Sequence, residues 1–89
     1  MSGADLDRGD MRAIMEFHLK ILFQMLDQYV HNCYISSAQR AEAQISGLLF
    51  FAEGLGLVTE EEKNAYSKDA WDRYSRVYQN TAETLEAAP

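Results

Sequence analysis

The only proline of this 89-residue chain is its last residue, Pro89, so the fixed φ and missing amide that break helices act nowhere before it. Between Met11 and Asn32 there is no glycine either, and apolar residues recur there at intervals of three and four. The same spacing returns over residues 37–53 and 60–86, and no segment alternates at the period of two that a half-buried strand requires. The pattern predicts an all-α fold, a compact antiparallel three-helix bundle-like domain with helices over about 11–32, 37–53 and 60–86. Residues 1–9 carry Gly3, Gly9, Asp5, Asp7 and Arg8 with little to bury. They read as a flexible N-terminal tail ahead of a single domain over 10–86.

The first helix, with Asp10 as its expected N-cap, has an apolar arc of about 200°, wider than the ~100° stripe of an ordinary surface helix. Such an arc demands neighbours on two sides or an oligomer interface. Within it Met15, Leu19, Leu22, Leu26, Tyr29 and Cys33 follow alternating steps of four and three, the seam of a coiled-coil-like pairing. A homodimer completed along this seam is one expectation.

The second helix is expected to start from a serine cap in Ser36-Ser37-Ala38-Gln39 and to end at Gly54 and Gly56. Ala38, Ala41, Ile45, Leu48, Leu49, Ala52 and Leu55 share its core face, with Ala43, Gly47, Phe50 and Gly54 roughly opposite. For the third helix, Thr59 and Glu62 spell a capping box, and Glu60, Glu61 and Glu62 complement the helix dipole. Tyr66, Ala70, Trp71, Tyr74, Val77, Tyr78, Thr81 and Leu85 form its apolar arc. Asp69 with Arg73 and Asp72 with Arg76 have the spacing of ion pairs along one helix.

Chemistry finds little to use. Cys33 is the only cysteine, so no internal disulfide can form, and its seam position suits a small buried hydrophobe. His18 falls within the apolar arc and His31 outside it, too far round the helix to hold one metal ion, so His18 reads as a hydrogen-bonded core or interface histidine. There is no phosphate-cradling glycine loop, no nucleophile–base constellation and no paired His-carboxylate motif. The expectation is a protein that is not an enzyme and needs no cofactor or metal.

Charge narrows the partners. Eight Lys and Arg against fourteen Asp and Glu give a net charge of −6, which repels nucleic-acid backbones and anionic membranes and suits a basic protein groove. No apolar run approaches the ~20 residues of a membrane span, and the first residues lack the features of a signal peptide, so a cytoplasmic protein is expected. Trp, Tyr and Arg dominate interface hot spots. Trp71 and Tyr74 read as core, whereas Tyr66 and Tyr78, with Tyr34, Phe50, Glu42 and Glu53, are the candidate partner contacts.

The stretch Ile45-Ser46-Gly47-Leu48-Leu49, then Ala52, then Leu55 to Glu62, resembles the helix-ending and helix-capping phrase of many short phage and plasmid proteins. With its size, acidity and surplus interaction surface, the chain is similar in type to the small all-helical anti-CRISPR proteins of mobile elements. That resemblance implies a non-enzymatic inhibitor acting in a host cytoplasm, which binds a CRISPR effector complex and blocks its handling of nucleic acid. The competing expectation is a homodimeric structural or regulatory subunit, an adaptor without inhibitory role.

Overall fold

The computed structural model describes residues 7–87 as three helices, α1 (Arg8–His31), α2 (Ile35–Gly54) and α3 (Glu60–Ala87). Every pair of helices is in contact, so the all-α three-helix bundle is the observed architecture. The helix starts differ from expectation in two places. Asp7, not Asp10, caps α1, its carboxylate accepting from the Asp10 amide at 2.7 Å, which draws Arg8 and Gly9 into the helix. The rest of the expected tail, 1–6, lies outside the described residues. At α2 the serine cap does not form: the helix begins at Ile35, and Tyr34 stands at its cap with no side-chain bond.

The Thr59 box forms as the sequence predicts. The Glu62 amide donates to Thr59 Oγ1 at 3.1 Å, and the Thr59 amide donates back to Glu62 Oε1 at 3.0 Å.

The core runs the length of the bundle. Met15, Leu19, Phe23, Leu26 and Val30 of α1 meet Ala38, Ala41, Ile45, Leu49 and Ala52 of α2, closed by Leu57, Val58, Ala70, Tyr74 and Val77. Alanines at three core positions of α2 let the helices approach closely around Leu26, Ile45, Leu49 and Val77, whose side chains are fully buried. Each such aliphatic contributes about 1.5–3 kcal/mol of transfer free energy, so these rows hold the bundle. Met15, Leu19 and Leu26 are thereby consumed inside the chain, with Leu22 and Tyr29 packed against the same core. The expected dimer seam is therefore the intrachain core and is closed to a second copy.

Both interhelical turns leave their helix through the same backbone motif. Cys33 (φ 60°) and Gly56 (φ 73°) take the left-handed conformation just past α1 and α2. The Cys33 amide donates to the Val30 carbonyl at 3.2 Å and the Tyr34 amide to Tyr29 at 2.9 Å. After α2, the Gly56 amide reaches Glu53 and the Leu57 amide reaches Ala52, both at 2.9 Å. Cys33 is thus a half-buried turn residue, its Sγ 3.8 Å from Thr84 Oγ1, and not a member of a helical seam.

Ion pairs set the register of α3. Arg12 of α1 binds the Glu62 carboxylate through both terminal nitrogens, at 3.2 and 2.5 Å. Lys63 meets Glu53 of α2 at 3.0 Å. Arg73 bridges Asp69 of its own helix and Asp27 of α1, each at 2.9 Å, with its guanidinium 4.7 Å above the Phe23 ring. These two acids hold the Arg73 pKa above its ordinary value. Asp69 and Arg73 pair as their spacing predicts; Asp72 pairs with Lys68 at 2.8 Å and not with Arg76. Both sit four residues from Asp72, so the spacing allows either, and the local rotamers choose Lys68.

Candidate protein-binding face

The edge between α2 and α3 carries the chain's densest group of aromatic rings. Trp71, Tyr74 and Tyr78 follow one another at three and four residues on α3, so a single helix face presents them in a row. The Trp71 and Tyr74 rings lie 5.5 Å apart and tilted, and the Tyr74 and Tyr78 rings 5.7 Å apart and edge-on. Both spacings fall within the range where aromatic pairs attract beyond their buried area. The two tyrosine hydroxyls share a hydrogen bond of 2.7 Å.

Burial divides the row. Tyr74 is only 5% exposed and anchors it in the core, whereas Trp71 is 57% and Tyr78 is 53% exposed. The sequence reading of Tyr74 as core matches this burial, and that of Trp71 as core is corrected. Trp71 shares the apolar arc, but it lies at the arc's margin, turned away from the buried Ala70, Tyr74 and Val77, so the wide indole rides on the surface. Tyr66 sinks part-way into the bundle, its ring 6.4 Å from Phe23, on the side of α3 that faces α1.

Carboxylates border the row from α2. Glu42 accepts a hydrogen bond from Ser46 Oγ at 3.1 Å, and its negative charge acts on the Tyr74 hydroxyl. The hydrogen bond to Tyr78, burial and then the charges nearby push the Tyr74 pKa up to about 12. Glu53, further along α2, is occupied by Lys63. Phe50, on the outer surface of the same helix, is 74% exposed, and the flanking Gly47 and Gly54 open onto empty space.

The six candidate contacts are therefore not one patch. Glu42 and Tyr78 are brought together around Tyr74, and Phe50 lies outward on α2. Glu53 serves the α2–α3 ion pair, Tyr66 faces α1, and Tyr34 is exposed at the α1–α2 turn. The residue that sequence reasoning missed is Trp71. Its signal was present: Trp71 and Tyr78 are seven apart, on a line parallel to the helix axis and offset from the core stripe of Ala70, Tyr74 and Val77.

Other sites offer less chemistry. An apolar groove of about 260 Å³ between α1 and α2 is lined by Met11, Ile14, His18, Leu48, Phe51 and Leu55 among others. His18 is its single ionisable group. It is exposed at the rim, edge-on to Phe17 at 6.1 Å, which corrects the core half of the expected core or interface histidine: although inside the apolar arc, it faces the groove and not the bundle axis. A polar cleft between α1 and α3 holds Asp27, His31, Asp69, Arg73, Arg76 and Asn80, and Asn80 donates to the Val30 carbonyl at 3.2 Å. Among the described residues no three His, Cys, Asp or Glu side chains group as a metal site, and no helix is long and apolar enough to cross a membrane.

The chain matches no protein-family model, and no curated protein or solved structure is significantly similar to it.

Proposed function

We propose that the protein is a non-enzymatic, protein-binding inhibitor, anti-CRISPR-like in type, which blocks a nucleic-acid-handling effector complex through the α2/α3 face. The observation that carries this reading is the half-exposed aromatic ladder of Trp71 and Tyr78 anchored on buried Tyr74, beside Glu42. Large rings held by a buried neighbour lose little conformational entropy on binding, which is why tryptophan and tyrosine dominate interface hot spots. A net charge of −6 complements a partner groove that is basic because it receives phosphates. The protein acts by occupying that groove, and no bond of the partner or its nucleic acid is made or broken.

The test is a titration of the protein into guide-loaded CRISPR effector complexes of several classes with labelled target DNA. Inhibition of DNA binding at low salt is expected for one class, weakening as ionic strength rises, because charges are screened within about 10 Å at 0.1 M. Trp71→Ala and Tyr78→Ala should each raise the inhibitory concentration about tenfold or more, the loss of a hot-spot residue. DNA binding unaffected in every class overturns the inhibitor reading. Inhibition untouched by both substitutions moves the contact away from this face.

A further inference from the structure

The outer surface of α1, on the far side of the bundle from the aromatic ladder, carries a second apolar stripe that no helix of the chain covers. Ile14, Phe17 and Ile21 are 48%, 62% and 36% exposed. They point roughly 140–160° away from the buried row of α1, so no rotation of the helix buries both. Asp10 precedes them and Gln24 and Gln28 follow, completing alternating steps of four and three with an apolar centre and polar ends. This is a short heptad seam distinct from the one consumed by the core.

We propose that two copies of the chain pair through this stripe, α1 against α1, antiparallel about a two-fold axis near Phe17. The order Ile14, Phe17, Ile21 reads the same in both directions, which is what an isologous interface requires. The axis stacks Phe17 of the two copies on each other and sets Ile14 of each beside Ile21 of the second copy. Charge obeys the same symmetry. Glu16 and Lys20 lie one turn apart on one flank of the stripe, so the axis brings Lys20 of each copy toward Glu16 of the other. Lys20 takes part in none of the ion pairs formed among the described residues, whereas Glu16 accepts from Arg12 Nε at 3.4 Å, a long contact that leaves carboxylate oxygen for a second cation.

A specific interface buries about 1,000 Å² or more in total, so a stripe of three exposed apolar side chains with its flanks suits a weak dimer. The pairing is concentration-dependent, and it leaves both α2/α3 faces free on opposite sides of the assembly.

Sedimentation equilibrium of the full chain, from micromolar to sub-millimolar concentration, tests this. The expected mass rises from 10.1 kDa toward twice that value. Phe17→Glu should hold the chain monomeric with unchanged circular dichroism, and with unchanged melting at low concentration where the wild type is monomeric too, because Phe17 is exposed and outside the core. Glu16→Lys and Lys20→Glu should each weaken self-association about tenfold through like charges across the axis, and an equimolar mixture of the two should associate more tightly than either alone. A wild-type chain that stays monomeric throughout overturns the proposal, as does a dimer that survives Phe17→Glu. A mixture no tighter than its components overturns the antiparallel register.

Discussion

The two turns of this bundle leave their helices by the same hydrogen-bonding motif and are secured in different ways. At the α2–α3 turn the left-handed residue is Gly56, which adopts φ 73° without a Cβ penalty. Its missing side chain also makes room for Arg8, whose guanidinium crosses from the start of α1 to donate twice to the Leu55 carbonyl, at 3.1 and 3.0 Å. A Cβ on Gly56 would stand 2.5 Å from Arg8 Nη2. Arg12 then reaches the Leu57 carbonyl at 3.1 Å and the Glu62 carboxylate, so three segments converge on one short loop.

The α1–α2 turn has the same geometry with a cysteine in the strained position, and its contacts to α3 are Asn80 on the Val30 carbonyl and the distant Cys33–Thr84 pair. One turn is therefore a junction that fixes α3, whereas the other is a hinge-like link closed mainly by its own backbone. The difference bears on function, because the junction sets the register of α3 and with it the ladder that α3 carries along α2.

Substituting Gly56 by alanine breaks the comparison most severely. The new Cβ strains the left-handed backbone by about 1–2 kcal/mol and displaces Arg8 as well, so thermal unfolding should fall by roughly 10 °C for a domain of this size. A midpoint within a degree or two of wild type would show that the motif does not depend on glycine. The mirror experiment is Cys33→Gly. Relief of the left-handed strain there outweighs the added freedom of the unfolded chain by about 0.5 kcal/mol, so a small rise in denaturation midpoint is expected, and a fall would mean that the Thr84 contact outweighs the strain.

Glu62→Gln sharpens the comparison through pH and is the smallest of the three effects, because an exposed ion pair contributes little even near neutrality, where its contribution is fully present. The hydrogen bonds from Arg12 and the Thr59 amide hold the Glu62 carboxyl at about 2, well below its ordinary value of 4.5. A depressed carboxylate stabilises the fold above its unfolded pKa, and that contribution fades as pH falls from about 4.5 to 2. Denaturant titrations across this window should show the wild type losing stability more steeply than Glu62→Gln, with the two curves converging near pH 2. Parallel curves would mean that the junction does not sense the carboxylate.

Much of this was legible in the chain, and the reasons are local. Thr59 and Glu62 lie three residues apart and satisfy each other's amides whatever surrounds them, so the α3 start followed directly. Five of the seven residues expected on the core face of α2 are buried, while Leu48 is only partly buried and Leu55, at the helix end, is 40% exposed, because spacing names a face and not where the neighbouring helices stop. Arg12 was not legible as the partner of Glu62, because fifty residues separate them and only the antiparallel return of α3 brings them together. The Met15 to Tyr29 seam illustrates the opposite failure: its spacing was read correctly and its partner wrongly, since periodicity names a buried face without saying which helix buries it. Trp71 was misplaced because a wheel gives direction and not depth, and a residue at the margin of the arc, here 57% exposed, is buried only if a neighbouring helix reaches it.

What the sequence determined by itself is therefore the set of helices, the ends signalled by Thr59 and Gly56, and the apolar residues of each face, because these rest on backbone hydrogen bonds and side-chain periods within a turn or two. Tertiary structure decided which faces meet, which ring is half exposed, and that Arg8 and Arg12 fasten the α2–α3 junction. Those outcomes depend on distances between residues some fifty positions apart, which no local period encodes and only the packing of three helices around one core can set.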